Sequence, residues 1–294
     1  MSNPSKTLVL AAGSLGDCIL TLPALQTLQT QGPVTLAGTS SCIQLGNSLL
    51  DVEKVIPLEA LLQILHSDSP LDLNFWGNFS NLYIFFKDRD PKIIQRLKSF
   101  SQLAIHEPSE NFEEFLKKEK WAGEYWLHLV QPNRLPTETT PIARLNISSE
   151  DKERGALLCE FLGVNNPLII HPGSGNPAKN APLSFFKKAA EKAVQESGTD
   201  VLVIWGENEL NNANEIIETF KGMEKVRVMY DLMMLKDLAS VLTQARGYLG
   251  NDSGVTHLAA ACGIQTFAVF NTTDSRIWGP QESIILAATQ TLYK

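Results

Sequence analysis

Short β-prone runs alternate with stretches of helical apolar spacing along much of the chain. Thr7 to Ala12 (TLVLAA) is the first such run, and Gly13-Ser14-Leu15-Gly16 follows it as a turn. From Asp17 onward, Ile19, Leu22, Leu25 and Leu28 recur three apart, which suits one face of a helix. Pro23 fits that helix only in its first turns, because proline has no N–H to donate. Val34 to Ala37 predicts the next strand, so the segment opens a βαβ unit with a glycine turn at the carboxyl end of its first strand.

The stretch from about 45 to 150 is less regular. Leu58–His66 predicts a helix, Leu82–Phe86 a buried strand and Pro91–Phe100 a short helix, while 107–128 is helical in character and rich in aromatics. Pro132, Pro136 and Pro141 mark 131–141 as an irregular connection near a domain boundary, and 150–163 reads as a linking helix ended by Gly163. From 167 the alternation is plain. Strands are predicted at Leu168–Ile170, Val201–Trp205, Val226–Tyr230, Tyr248–Leu249 and Thr266–Phe270. Between them lie helices at Leu183–Gln195, around 209–220, at Leu235–Gln244 and at Ser253–Cys262. Five strands separated by helices predict a parallel, doubly wound sheet. The expected organisation is therefore α/β, with two Rossmann-like domains at 1–150 and 151–294. Facing each other across a cleft, they would bind ligands at the carboxyl ends of their strands.

The 294 residues include 25 Lys+Arg and 32 Asp+Glu, a net charge of −7 spread over both halves. That balance argues against a nucleic-acid binder, which carries a basic patch or stripe. Cys18, Cys42, Cys159 and Cys262 are far apart, with neither a zinc nor a small-disulfide spacing, so reduced thiols in a cytoplasmic protein are expected. Lys6 followed by TLVLAAGSLG has the outline of a signal sequence, but its apolar part is short and runs into Asp17. No apolar run approaches the ~20 residues of a membrane helix, and a soluble protein is expected.

Three turns carry candidate chemistry. Gly13-Ser14-Leu15-Gly16-Asp17 lacks the third glycine of G-x-G-x-x-G and the lysine of a P-loop. Asp17 is either a helix-start acid favoured by the macrodipole or a carboxylate placed to take a proton. His171-Pro172-Gly173-Ser174-Gly175 with Lys179 can turn backbone N–H groups and an ammonium toward an anion; the alternative is that His171 only ends a strand and Lys179 is solvated. In Gly250-Asn251-Asp252-Ser253-Gly254-Val255-Thr256-His257, Asp252 or Ser253 is a credible N-cap, and His257 falls one turn into the helix.

These segments together resemble glycosyltransferase family 9, the ADP-heptose:lipopolysaccharide heptosyltransferases and their relatives. The resemblance rests on Ser14-Leu15-Gly16-Asp17, Thr21-Leu22-Pro23-Ala24-Leu25, HPGSG with Lys179 and Pro182, GNDSGVTHLAAACG, and Thr273-Asp274 with Trp278-Gly279-Pro280. It implies a GT-B fold with the nucleotide-sugar donor, an ADP-heptose, on the C-terminal domain and the acceptor on the N-terminal one. Asp17 matches the family's base, with Ser14 and Gly16 on the acceptor side. Gly173, Ser174 and Lys179 match positions near the donor diphosphate, and Asp252, Ser253, Gly254 and His257 the second phosphate-side loop. Glu209, or Glu207 by a small shift, falls near a ribose-holding carboxylate, and Met233 falls beside the adenine.

In an inverting transfer, charge develops on the leaving diphosphate, where N–H groups at a helix start and Lys179 would stabilise it. No metal or other cofactor is then needed. Asp88-Arg89-Asp90 spells D-x-D but lies amid Lys87 and Lys92, not after a strand and glycine turn, and is not read as a metal site. Lys87, Arg89, Lys92, Arg96 and Lys98 read as a solvated helix face, or alternatively as a patch meeting an anionic acceptor such as a lipid A–Kdo core. The chain departs from the family pattern at Ala11, where relatives carry Arg or Lys, at Met234, where they carry a Ser or Thr cap, and in the 14 residues after Pro280, too few for the usual closing helix. The expected activity is transfer of a heptose or related sugar to a lipopolysaccharide-core or other glycan or lipid-linked acceptor, at the cytoplasmic face of the inner membrane. The rival readings are a nucleotide-sugar binding module and an epimerase.

Overall fold

The computed structural model of the protein describes residues 6–67, 71–86, 90–100, 102–118, 120–135, 138–229 and 233–287. The chain divides between Ile142 and Ala143 into two compact units.

The first unit is built on a parallel sheet of β1 (Thr7–Ala11), β2 (Val34–Gly38), β3 (Lys54–Pro57), β4 (Asn81–Phe85) and β5 (Ala104–His106), in the order β3-β2-β1-β4-β5. β1 lies at the centre, with Thr7 opposite both Val34 and Asn81. All five of its residues are buried, as a parallel strand covered on both faces requires, which is why the run reads as continuously apolar. Leu8, Leu10, Leu82 and Ile84 pack with Leu58, Leu61 and Leu65 of helix Leu58–His66 and with Ile93, Ile94 and Leu97 of helix Pro91–Leu97. The strand order reverses between β1 and β4, and in open α/β sheets ligands bind outside the carboxyl ends at such a point.

The second unit carries β6 (Leu168–His171), β7 (Val201–Val203), β8 (Val226–Val228), β9 (Gly247–Asn251), β10 (Thr266–Val269) and β11 (Ile284–Leu286), all parallel, in the order β11-β10-β9-β6-β7-β8. Its reversal falls between β6 and β9. Helix Ser149–Phe161 starts where the Ser148 hydroxyl accepts from the Asp151 N–H (3.1 Å), and it packs against helix Leu235–Leu242. Among the described residues, no helix is long and apolar enough to cross a membrane.

Most predicted elements are present with shifted ends. The 107–128 stretch resolves into helices Phe112–Leu116 and Gly123–Val130, and the region around 209–220 into a 3-10 segment, Glu207–Asn212, and helix Ala213–Phe220. Tyr230, predicted to end a strand, lies outside the described residues, as do Lys87, Asp88 and Arg89.

One expectation is overturned. Cys18 and Cys42 are joined in a disulfide rather than kept as thiols, while Cys159 and Cys262 are free. The physical reason is topological: β1 and β2 are register neighbours, so helices Leu15–Leu20 and Ser40–Leu49, which follow them, start side by side. The Cα atoms of the two cysteines are 5.6 Å apart, within the usual span of a disulfide, despite a separation of 24 residues in sequence.

Candidate functional site

In the second unit, the two glycine-containing turns leave the adjacent strands β6 and β9. His171 closes β6 with Gly250 as its register partner. Asn251, fully buried at the end of β9, ties the turns together: its Oδ1 accepts from the Ala181 N–H (2.9 Å) and its Nδ2 donates to the Pro172 carbonyl (2.7 Å). A buried amide with both ends satisfied fixes the spacing of the groups it bridges. The Ser174 hydroxyl lies 2.6 Å from Asn180 Oδ1 and 2.7 Å from the Asn176 carbonyl, so it serves to shape its own turn.

Lys179 ends a 3-10 turn, and its Nζ is 2.8 Å from Asp252 Oδ2. Asp252 is buried and also accepts from the Thr273 hydroxyl, which fixes the carboxylate and thereby the ammonium. Ser253 is the N-cap of helix Gly254–Ala261, its Oγ accepting from the Thr256 N–H (3.4 Å). The first N–H groups of that helix have no intrahelical acceptor, and the macrodipole adds positive potential there. His257 is buried in its first turn.

Glu209 lies beneath the HPGSG turn. Its Oε2 accepts from the Gly206 N–H (2.7 Å) and is 3.4 Å from His171 Nε2, both side chains being buried. Burial alone would raise the Glu209 carboxyl, but the His171 ring and the Gly206 amide outweigh it and hold it below its ordinary value. A Cβ on Gly173 would fall 2.0 Å from Glu209 Oε1, so only glycine lets the turn pass over this carboxylate. Glu207 is exposed, whereas Met233 is half-buried just before helix Leu235–Leu242. Met234 occupies the N-cap of that helix without a side-chain cap bond.

In the first unit, Ser14 and Asp17 close a capping box: Asp17 Oδ2 accepts from the Ser14 N–H (3.0 Å) and from its hydroxyl (2.8 Å). Gly13 has φ +143°, and a Cβ there would lie 2.5 Å from Asp17 Cβ. The Thr39 hydroxyl donates to the Gly13 carbonyl (2.8 Å), holding the turn from the end of β2. Gly16 is buried in helix Leu15–Leu20, and Ala11 is buried between its register partners Gly38 and Phe85. Beside Asp17 lies a cavity of about 450 Å³.

The model of the family described as glycosyltransferase family 9 (heptosyltransferase) matches residues 119–292. The chain belongs to glycosyltransferase family 9. No curated protein sequence matches it. Among solved structures, the ADP-heptose LPS heptosyltransferase II of E. coli is similar at 17% identity and a TM-score of 0.75, over 96% of this chain and 90% of that one. The glycosyl transferase family 9 protein of Veillonella parvula aligns at 15% identity and 0.74, over 96% and 86%. E. coli heptosyltransferase WaaC with ADP aligns at 16% and 0.68, over 97% of each chain. At these identities the likeness establishes the GT-B fold.

For this family 9 enzyme, the structure gathers Gly173, Ser174, Lys179, Asp252, Ser253 and Gly254 around the β6–β9 reversal, with Glu209 beneath. Ser14, Gly16 and Asp17 form a separate cluster at the end of β1. Sequence reasoning did not single out Asn251, Asn180 or Thr39. Their roles lie in contacts across neighbouring strands, and the only local signal was the place of Asn251 beside Asp252. Of the basic group, Lys98 pairs with Glu107 (2.9 Å) and Arg96 donates to the Ser67 carbonyl. Among the described residues no group of three or more His, Cys, Asp or Glu is placed to hold a metal.

Proposed function

We propose that this family 9 enzyme is an inverting, metal-independent transferase that moves a heptose or related sugar from an ADP-sugar to a lipopolysaccharide-core or other glycan acceptor, working at the cytoplasmic face of the inner membrane. The observation that carries the reading is the paired-turn arrangement of the second unit. A lysine held by Asp252, a capped helix N-terminus and the HPGSG turn lie at the ends of the neighbouring strands β6 and β9, which is where we place the diphosphate. The family membership and the ADP in the WaaC structure support an adenine nucleotide as donor.

In the proposed reaction, an acceptor hydroxyl attacks the anomeric carbon on the face opposite the diphosphate. The new C–O bond forms as the bond to the β-phosphate oxygen breaks, and Asp17 takes the hydroxyl proton. Negative charge grows on the departing ADP, where Lys179 and the first N–H groups of helix Gly254–Ala261 meet it. With that charge met by fixed donors, a divalent ion has no necessary role. Glu209 and Met233 are assigned to the ribose and adenine, and His257 to support of the second loop.

Asp17→Asn keeps an acceptor for the Ser14 N–H but removes the base. Transfer is expected to fall by about 10²-fold or more, as for loss of a general base, while ADP affinity stays within a few-fold. Wild-type rates in the variant would refute the assignment of the base.

A further inference from the structure

No bond of the proposed transfer involves His171, which forms half of a buried ionic pair beneath the HPGSG turn. His171 closes β6, and Glu209 stands on the 3-10 segment Glu207–Asn212. The ring Nε2 lies 3.4 Å from Glu209 Oε2, which also accepts from the Gly206 N–H (2.7 Å). Burial alone would raise the Glu209 carboxyl, but the His171 ring and the Gly206 amide outweigh it, so the group stays ionised. Glu209 Oε1 and His171 Nδ1 are buried without a hydrogen-bond partner. The carboxylate sits directly under the turn, since a Cβ on Gly173 would fall 2.0 Å from Oε1.

A fixed negative charge in that place opposes an anion bound above it, because like charges a few ångströms apart repel strongly where water is excluded. Lys179 does not cancel it. Its ammonium is 2.8 Å from Asp252 Oδ2, so its charge is already set against a second buried carboxylate. Tyr248, on the neighbouring strand β9, is uncharged: burial pushes its hydroxyl up, and Glu209 adds to the push. His257 stands on the far turn, in helix Gly254–Ala261. Among the described residues, only His171 is within ion-pair distance of Glu209.

We propose that His171 is a positioning residue for the donor: as an imidazolium it cancels the Glu209 carboxylate beneath the HPGSG turn, and this lets the turn accept a diphosphate. The proposal rests on the reading of the second unit as the donor site. Taking away the ring's charge leaves a buried carboxylate uncompensated, which is the costly way to break such a pair. Taking away both charges leaves nothing beneath the turn to repel the ligand. His171 therefore acts through Glu209, not by touching the donor.

The test is titration of the full chain with inorganic pyrophosphate in EDTA. Pyrophosphate lacks the ribose assigned to Glu209 and so reads the charge beneath the turn by itself. His171→Gln keeps a hydrogen-bond donor for Glu209 but removes the charge, and pyrophosphate affinity is expected to fall about tenfold. Glu209→Gln is expected to stay within a few-fold of the wild type. The double variant is expected to regain wild-type affinity to within about threefold, a coupling that two merely structural losses would not give. Ring-nitrogen NMR of the wild type with pyrophosphate bound needs no variant, and is expected to show both His171 nitrogens protonated. Wild-type affinity in His171→Gln, a double variant as weak as His171→Gln, or a neutral ring would overturn the proposal. Failure of the wild type to bind either pyrophosphate or ADP would instead bring down the donor reading, and this proposal with it.

Discussion

Gly13 and Asp17 act as one unit at the residue scale. The turn at φ +143° brings the Gly13 backbone against the Asp17 side chain, and the carboxylate then folds back onto Ser14. A methyl group at position 13 has to push Asp17 away, and it also adds strain of about 1–3 kcal/mol from the backbone conformation. Gly13→Ala is therefore expected to lower the melting temperature moderately and to depress transfer as severely as Asp17→Asn, with ADP affinity unchanged. Normal transfer in this variant would show that the position of Asp17 does not matter. Asp17, Lys179 and the two glycine turns stand out in the sequence as candidates because those residue types carry their chemistry wherever they stand. Asn251 and Thr39 do not stand out: an asparagine or threonine has many uses, and only the pairing of β6 with β9 and of β1 with β2 shows what these two hold.

At the scale of elements, β1 and β6 were legible because burial forces nearly unbroken apolar runs, whereas β9 offered only Tyr248-Leu249 between two glycines. The edge strands β3, β5 and β11 were not legible. Each has only three or four residues and is partly exposed, so it shows neither a long run nor a clean alternation. The disulfide was missed for a related reason: it links the starts of two helices whose adjacency depends on strand order. Closing a loop of this length is worth about 3 kcal/mol. Reduction, or replacement of Cys42 by Ser, is expected to lower the stability of the first unit by about that amount in denaturant titrations. The second unit, which has no disulfide among its described residues, is expected to be unaffected. Identical unfolding curves for the oxidised and reduced protein would contradict the bond's role.

The two units also differ in buried ionic groups at the scale of the whole molecule. Glu209 and Asp151, both in the second unit and both buried, titrate below their ordinary values. Glu209 is held down against burial by His171 and Gly206, and Asp151 by the Ser148 hydroxyl first and then by Lys236. A carboxyl depressed in the folded state binds fewer protons than in the unfolded chain, so stability rises with pH through that window. The contribution is complete above the unfolded value and is lost as pH falls through the folded one. The second unit is therefore expected to weaken on acidification below the usual carboxylate range, and Glu209→Gln to flatten that dependence. An unchanged acid profile in Glu209→Gln would show that the pair with His171 does not contribute.

In the proposed reaction the second unit binds an adenosine diphosphate sugar through Lys179 and the two turns without a metal. Calorimetric titration of the wild type and Lys179→Ala with ADP, UDP and GDP in EDTA tests it most directly. ADP is expected to bind best, and its affinity to fall by at least about tenfold in Lys179→Ala, the scale of a charge-assisted contact to phosphate. Preference for UDP or GDP, or equal ADP affinity in the two proteins, would contradict it.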